Sequence, residues 1–285
     1  MSVVEWGSMS PISATSGHTD ARGDGEPRTD RFLDVTELPE QTISREQLRR
    51  MCNRYVWAAR FCDSRDVLEV ACGSGRAIDY LASRARKVVA GDISPEILSK
   101  VATSASNVRL QVLDAQHLPF SDAEFDVVLI SEALYYLPSA EKFVSEARRV
   151  LRPSGRLLIV VTNKDLYEFH RSPYSTVYHG VPALNDLLKR HGFNAEFFGY
   201  LNVDEVSWRQ RILRPVKRVA EKFDLIPKTM RGKQLLKSIV FGAMMPMPER
   251  ISEGLVPYEE PRRIVSDAPD VRHKIIYCAA IKSID

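Results

Sequence analysis

What this chain lacks narrows its class before any motif is read. No run of roughly 18 or more apolar residues occurs, so no transmembrane helix is expected. The first residues are polar and carry no apolar h-region, so no secretory signal is expected. Cysteines are few: Cys52, Cys62, Cys72 and Cys278 are the whole set. They form no CxxC pair and no metal-ligand spacing, and no His/Asp/Glu cluster has metal spacing. The reading is a metal-free, cytoplasmic protein with reduced thiols, Cys72 serving as a small apolar residue in a turn. The net charge is only +3. No internal repeat, no aromatic-interleaved basic platform and no RNA module is present, which disfavours nucleic acid as a partner.

What is present begins with size and apolar content. The 285 residues, 44% of them hydrophobic, suffice for one large domain or a domain with a sizeable insertion. The chain is organised around residues 67–81, VLEVACGSGRAIDYL. A short apolar run ends at Ala71-Cys72-Gly73-Ser74-Gly75, and a helix pattern follows. Gly73 and Gly75 lack a Cβ, so the backbone there can turn sharply and lie against a ligand. The helix that follows points unpaired N–H groups at the same place. Glu69 sits inside the strand just before the turn, where it repels a phosphate and tolerates a cation.

The remaining elements follow the same alternation. Residues 1–30 are rich in Ser, Gly, Thr, Asp and Pro without periodicity and are expected to be disordered. Residues 31–64 make an N-terminal helical cap, with Ser44 and Gln47 in a capping-box spacing. Leu48, Met51, Cys52, Tyr55, Val56 and Ala59 share a face of it; Tyr55 and Trp57 are placed to cover a site or to pack in the core. Strands are expected at 87–92, 108–113, 126–131 and 156–161, the last after a Pro153-Ser154-Gly155 turn. Ser94-Pro95-Glu96 and Ser139 start helices. Residues 182–191 form a helix stopped by Gly192, and 193–200 and 273–281 are the last two strands. The core cofactor-binding domain therefore runs over 65–200, with 272–285 supplying its final strand.

Such alternation predicts an α/β fold, a Rossmann-like, mostly parallel seven-stranded sheet with helices on both faces. Ligands bind such sheets beyond the carboxyl ends of the strands. Glu69 with the glycines, Asp92, Asp114 and Ser131 all fall at or just before those ends.

These residues carry a resemblance. Glu69-Val-Ala-Cys-Gly-Ser-Gly resembles the first motif of the class I S-adenosylmethionine-dependent methyltransferases. So do Asp92 after the second strand, Asp114-Ala115 after the third, and FDVVLISEALYYLP at 125–138, with LRPSGRLLIV at 151–160 behind them. The resemblance covers about residues 65–162. It departs at Ala71, where the family usually has glycine; an alanine fits there if its φ is below zero. The resemblance implies S-adenosylmethionine as cofactor. Gly73 and Gly75 would admit its methionine part beside Ser131, with Glu69 near its ammonium. Asp92 would accept the ribose hydroxyls, Ile93 would pack on the adenine, and Asp114 with the Ala115 N–H would meet the adenine edge.

Methyl transfer from a sulfonium demands alignment and exclusion of water, and a base only where the acceptor is a hydroxyl or a protonated amine. Candidates for that base are Glu132, Tyr135, His170 and His179, the histidines lying in the polar loop after the fifth strand. His117 reads as structural. The acceptor expected is oxygen or nitrogen of a small molecule, sugar-containing or lipid-linked. Residues 201–271 read as a basic helical insertion or lid. Within it, 207–240 carries ten Lys and Arg against two acids, a substrate-covering face or a dock for an anionic membrane surface. Two alternatives stand beside this reading. One is a non-catalytic binding protein on the same fold. The other is an NAD(P)-dependent oxidoreductase, whose third fingerprint glycine is replaced here by Ile78.

Overall fold

The computed structural model describes residue 36 and residues 41–167, 169–205 and 244–283. The N-terminal tail and the basic 207–240 segment lie outside the described residues. In chain order the elements are β1 (Thr42–Ser44), α1 (Arg45–Ala59), β2 (Asp66–Val70), α2 (Ile78–Ala82), β3 (Lys87–Asp92), α3 (Pro95–Leu98), β4 (Val108–Val112) and β5 (Phe125–Ser131). They continue with α4 (Ala140–Val150), β6 (Leu151–Thr162), α5 (Val181–Arg190), β7 (Phe193–Asn202), β8 (Met244–Pro246), β9 (Arg262–Ile264) and β10 (His273–Lys282).

The main sheet has eight strands in the order β4-β3-β2-β5-β6-β10-β7-β9. Strands β2 to β6 run parallel, while β10 is antiparallel to both neighbours. The expected seven are all there. The eighth, β9, is a three-residue edge strand on β7. A separate ribbon pairs β1 with β8. Part of the 201–271 stretch is therefore extended chain rather than helix. Met247 and Ile251 are buried, and the Arg76 guanidinium donates to the carbonyls of Pro248 and Glu249 at 3.2 and 2.9 Å. Three-residue strands are too short to leave a period-2 pattern, which is why sequence periodicity misses them.

Burial on both faces explains the unbroken apolar runs of the central strands. One face packs on α1 and α2 through Met51, Trp57, Ile78 and Leu81; the other packs on α4 and α5 through Phe143, Val144 and Leu188. Alternation within β2 sends Val67 and Glu69 toward α1, and Leu68 and Val70 toward α4. The capping box of α1 forms as its sequence predicts, the Gln47 N–H donating to Ser44 Oγ at 3.2 Å and the Ser44 N–H to Gln47 Oε1 at 2.9 Å. Trp57 proves to be core: it is fully buried, with edge contacts to Phe61 and Tyr277 at 5.1 and 5.0 Å between ring centroids. Val56, expected on the inner face, is only half-buried.

Because Trp57 ties α1 to β10, Trp57→Ala is expected to cost about 3–5 kcal/mol of stability, read as a lowered urea midpoint at unchanged slope.

Candidate active site

Where β2 ends, the chain reverses into α2 through left-handed residues: Ala71 at φ 54°, Gly73 at φ 58° and Gly75 at φ 70°. The alanine thus departs from the negative φ that its Cβ would favour, at a cost of about 1–2 kcal/mol. The two glycines serve different ends. Gly73 lines a cavity, and its N–H donates to Asp92 Oδ2 at 3.0 Å. Gly75 faces away from the cavity. A Cβ there would meet Val101 Cγ1 at 2.5 Å and Ile78 Cδ1 at 2.8 Å, so its bareness serves packing.

Asp92, the last residue of β3, also accepts the Ser94 N–H on Oδ1 at 3.0 Å. Burial pushes its carboxyl above the usual carboxylate range, and the N–H groups of Ser94, Gly73 and Ile93 pull it back. Asp114, two residues past β4, accepts the Gln116 N–H at 2.9 Å, and His117 lies 3.3 Å from its other oxygen in a local bridge.

A cavity of about 580 Å³ opens at the carboxyl ends of the parallel strands, within the usual size for small-molecule sites. It sits where the strand order reverses between β2 and β5, the switch point at which open α/β sheets bind ligands. Tyr55, Ala71, Gly73, Asp92, Ile93, Asp114, Ala115 and Ser131 all line it, as do Glu132 and Tyr135. Glu69 and Gly75 lie behind this wall. Glu69 is sealed from it by Tyr55, whose hydroxyl donates to Glu69 Oε1 at 2.8 Å. Burial pushes the Glu69 acid up to about 7, against the hydrogen bond from Tyr55 and the nearby Arg54 charge.

The loop histidines sit elsewhere. His170 is exposed, and His179 lines a separate hollow with Leu134, Leu137 and Arg190, where burial lowers its basicity. The loop itself still reaches the site. The Thr176 N–H donates to the Tyr135 carbonyl at 2.7 Å, and Tyr178 stacks on Tyr135 with centroids 4.3 Å apart. Gln47, read from the sequence only as a capping residue, also lines the cavity, as do Arg50, Arg54 and Thr162, which were not singled out from the sequence. The first three carried a signal, a polar stripe at i, i+3 and i+7 on α1.

The donor set suits a sulfonium nucleoside. Asp92 and Asp114 offer acceptors for hydroxyl and amino hydrogens, and Ser131 Oγ is buried with no hydrogen-bond partner among the described residues. Such an orphan asks for a ligand atom.

Two expectations follow for the cofactor-free protein. Ala71→Gly relieves the left-handed strain and should stabilise by about 0.5–1 kcal/mol, net of the entropy that glycine adds to the unfolded chain; urea denaturation checks it. Between an unfolded pKa of 4.5 and a native value of about 7, the native state holds a Glu69 proton that the unfolded state has lost. Stability should therefore fall as pH rises through that window, by up to about 3 kcal/mol, and Glu69→Gln should flatten the slope.

Residues 68–159 match the family model of the methyltransferase domain. A probable S-adenosylmethionine-dependent methyltransferase of Mycolicibacterium smegmatis is 33% identical over 146 residues, 50% of this chain and 57% of that protein. A demethylmenaquinone methyltransferase of Renibacterium salmoninarum is 28% identical over 174 residues, 60% of this chain and 72% of that protein. The chain thus spans little more than half the length of the Mycolicibacterium relative, 57% of it. In fold it is similar to the YcgJ protein of Bacillus subtilis, with TM-score 0.53 at 17% identity over 81% of this chain and 99% of that one. Residues 68–159, on a sheet of this order, thus form a domain similar to that of the S-adenosylmethionine-dependent methyltransferases.

Proposed function

We propose that the protein transfers a methyl group from S-adenosylmethionine to oxygen or nitrogen of a small-molecule acceptor. One observation carries this reading: Asp92, Asp114 and the unpartnered Ser131 hydroxyl share a cavity with Glu132 and Tyr135. When bound, the cofactor supplies an electrophilic methyl on a sulfonium.

The chain's own residues then have separable tasks. Asp92 accepts the ribose hydroxyls with lone pairs that its two backbone donors leave over. Ile93 offers the adenine an apolar face, and Asp114 with the Ala115 N–H reads its polar edge. Tyr55 roofs the cavity from α1. The Tyr135–Tyr178 stack keeps water from the acceptor side, which alignment of a charged displacement requires. Arg50, Tyr136 and Ser172 make that side polar, which supports a hydroxyl-rich acceptor such as a sugar-containing one. A lipid-linked acceptor, with an anionic membrane surface as partner, rests on the sequence of 207–240 alone.

The demethylmenaquinone relative supports a second reading, methylation at a carbon of a quinone-type ring. The position of a labelled methyl in the product separates the two.

Asp92→Ala should weaken S-adenosylmethionine binding by about 1.5–3 kcal/mol, roughly 10- to 150-fold in Kd by calorimetry, with circular dichroism confirming that the variant is folded. Unchanged affinity would remove Asp92 from the site.

A further inference from the structure

The geometry assigns to Glu132 the removal of the acceptor's proton, and with it a protic acceptor, a hydroxyl or an ammonium, in place of a carbon nucleophile. This rests on the methyl-transfer reading above.

Glu132 follows directly on β5 and stands at φ 53°, where a residue with a Cβ is strained. Such strain persists where surrounding structure over-determines it, and it clusters at functional sites. Here the Glu132 N–H is held by the Val160 carbonyl at 2.7 Å. The carboxylate is held too. Its Oε2 accepts the Tyr135 hydroxyl at 2.8 Å and the Thr162 hydroxyl at 2.8 Å. Its Oε1 is ion-paired with the Arg50 guanidinium at 3.4 Å, a longer contact than the two on Oε2. One oxygen is thereby fixed by two donors, and the other, with a single long contact, keeps acceptor capacity on a residue that lines the cavity.

The other candidates are committed elsewhere. Asp92 and Asp114 serve the ribose and the adenine in the reading above, beside their bonds from the Gly73, Ser94 and Gln116 N–H groups. Tyr135 is a donor to Glu132, and burial with the neighbouring Glu132 charge pushes its phenol well above the usual range. His170 and His179 lie outside the cavity. Among the described residues, Glu132 is the remaining acid that lines it.

The step balances as follows. The acceptor's O–H or N–H bond breaks and its proton passes to Glu132 Oε1. The lone pair so freed bonds the methyl carbon as the carbon–sulfur bond breaks, its electrons remaining on sulfur as a thioether. Glu132 then loses the proton to water.

The test uses the full chain, methyl-labelled S-adenosylmethionine and a total small-molecule extract of the native cells, with S-adenosylhomocysteine calorimetry run in parallel. The wild type should label oxygen or nitrogen. Glu132→Gln should lose 10²- to 10³-fold of that rate, while binding S-adenosylhomocysteine within about twofold of wild type. Glu132→Asp, which keeps a shortened carboxylate, should recover part of the rate and supplies the comparison if the glutamine variant does not fold. Full activity in either a folded Glu132→Gln or a Glu132→Ala variant, a methyl found on carbon, or a wild type that binds S-adenosylhomocysteine yet labels no oxygen or nitrogen would each overturn the assignment. A wild type that binds neither cofactor form defeats the methyl-transfer reading instead.

Discussion

The site depends on one desolvated carboxylate. Asp92 ends β3, yet its two oxygens reach the Gly73 N–H in the turn after β2 and the Ser94 N–H at the head of α3. Two strand ends and a helix start are fixed to one another through a single side chain. Burial disfavours a charge there, and backbone donors offset it, with no cationic side chain among the described residues contributing. That choice leaves the remaining lone pairs turned to the cavity. A salt bridge in the same position would have consumed them.

Two of the seven left-handed non-glycine residues among those described border that clamp's cavity. Ala71 and Glu132 follow immediately on β2 and β5, adjacent strands, and each turns through the left-handed region. Both line the cavity. The sheet reverses its order between these strands, so their chains leave the rim in different directions and a crevice opens between them. Tight pairing of β2 and β5 from Val67↔Val127 to Val70↔Ile130 up to that rim holds both residues in place.

Glu69 shows how a site is supported from behind. It points to the α1 side of the sheet because of strand parity, and there Tyr55 closes over it. The helix that roofs the cavity is thus tied to the strand that floors it. The tie is made by a buried acid, so the mutual position of roof and floor is coupled to proton occupancy. The strap of residues 244–251 adds a second tie, from the far side of the sequence, through Arg76.

By itself the sequence determined the order of parallel strands and helices, the caps at Ser44, Ser94 and Ser139, and the convergence of Asp92, Asp114, Ser131 and the glycine turn. All of these follow from local rules: period-2 and period-3.6 patterning, turn chemistry, and the position of polar residues at strand ends. What depended on distance along the chain was decided only in three dimensions. The left-handed φ of Ala71, directly after paired β2, contradicts the residue's own preference. The separation of Gly73 from Gly75 came from Val101, far away in sequence. The loop histidines were near the site in sequence yet outside it in space, because Thr176 and Tyr178 anchor their loop to Tyr135. The union of Glu132 with Thr162 and Arg50 joins β5, β6 and α1, and no local pattern encodes a meeting of three segments; packing of the sheet and its covering helix does.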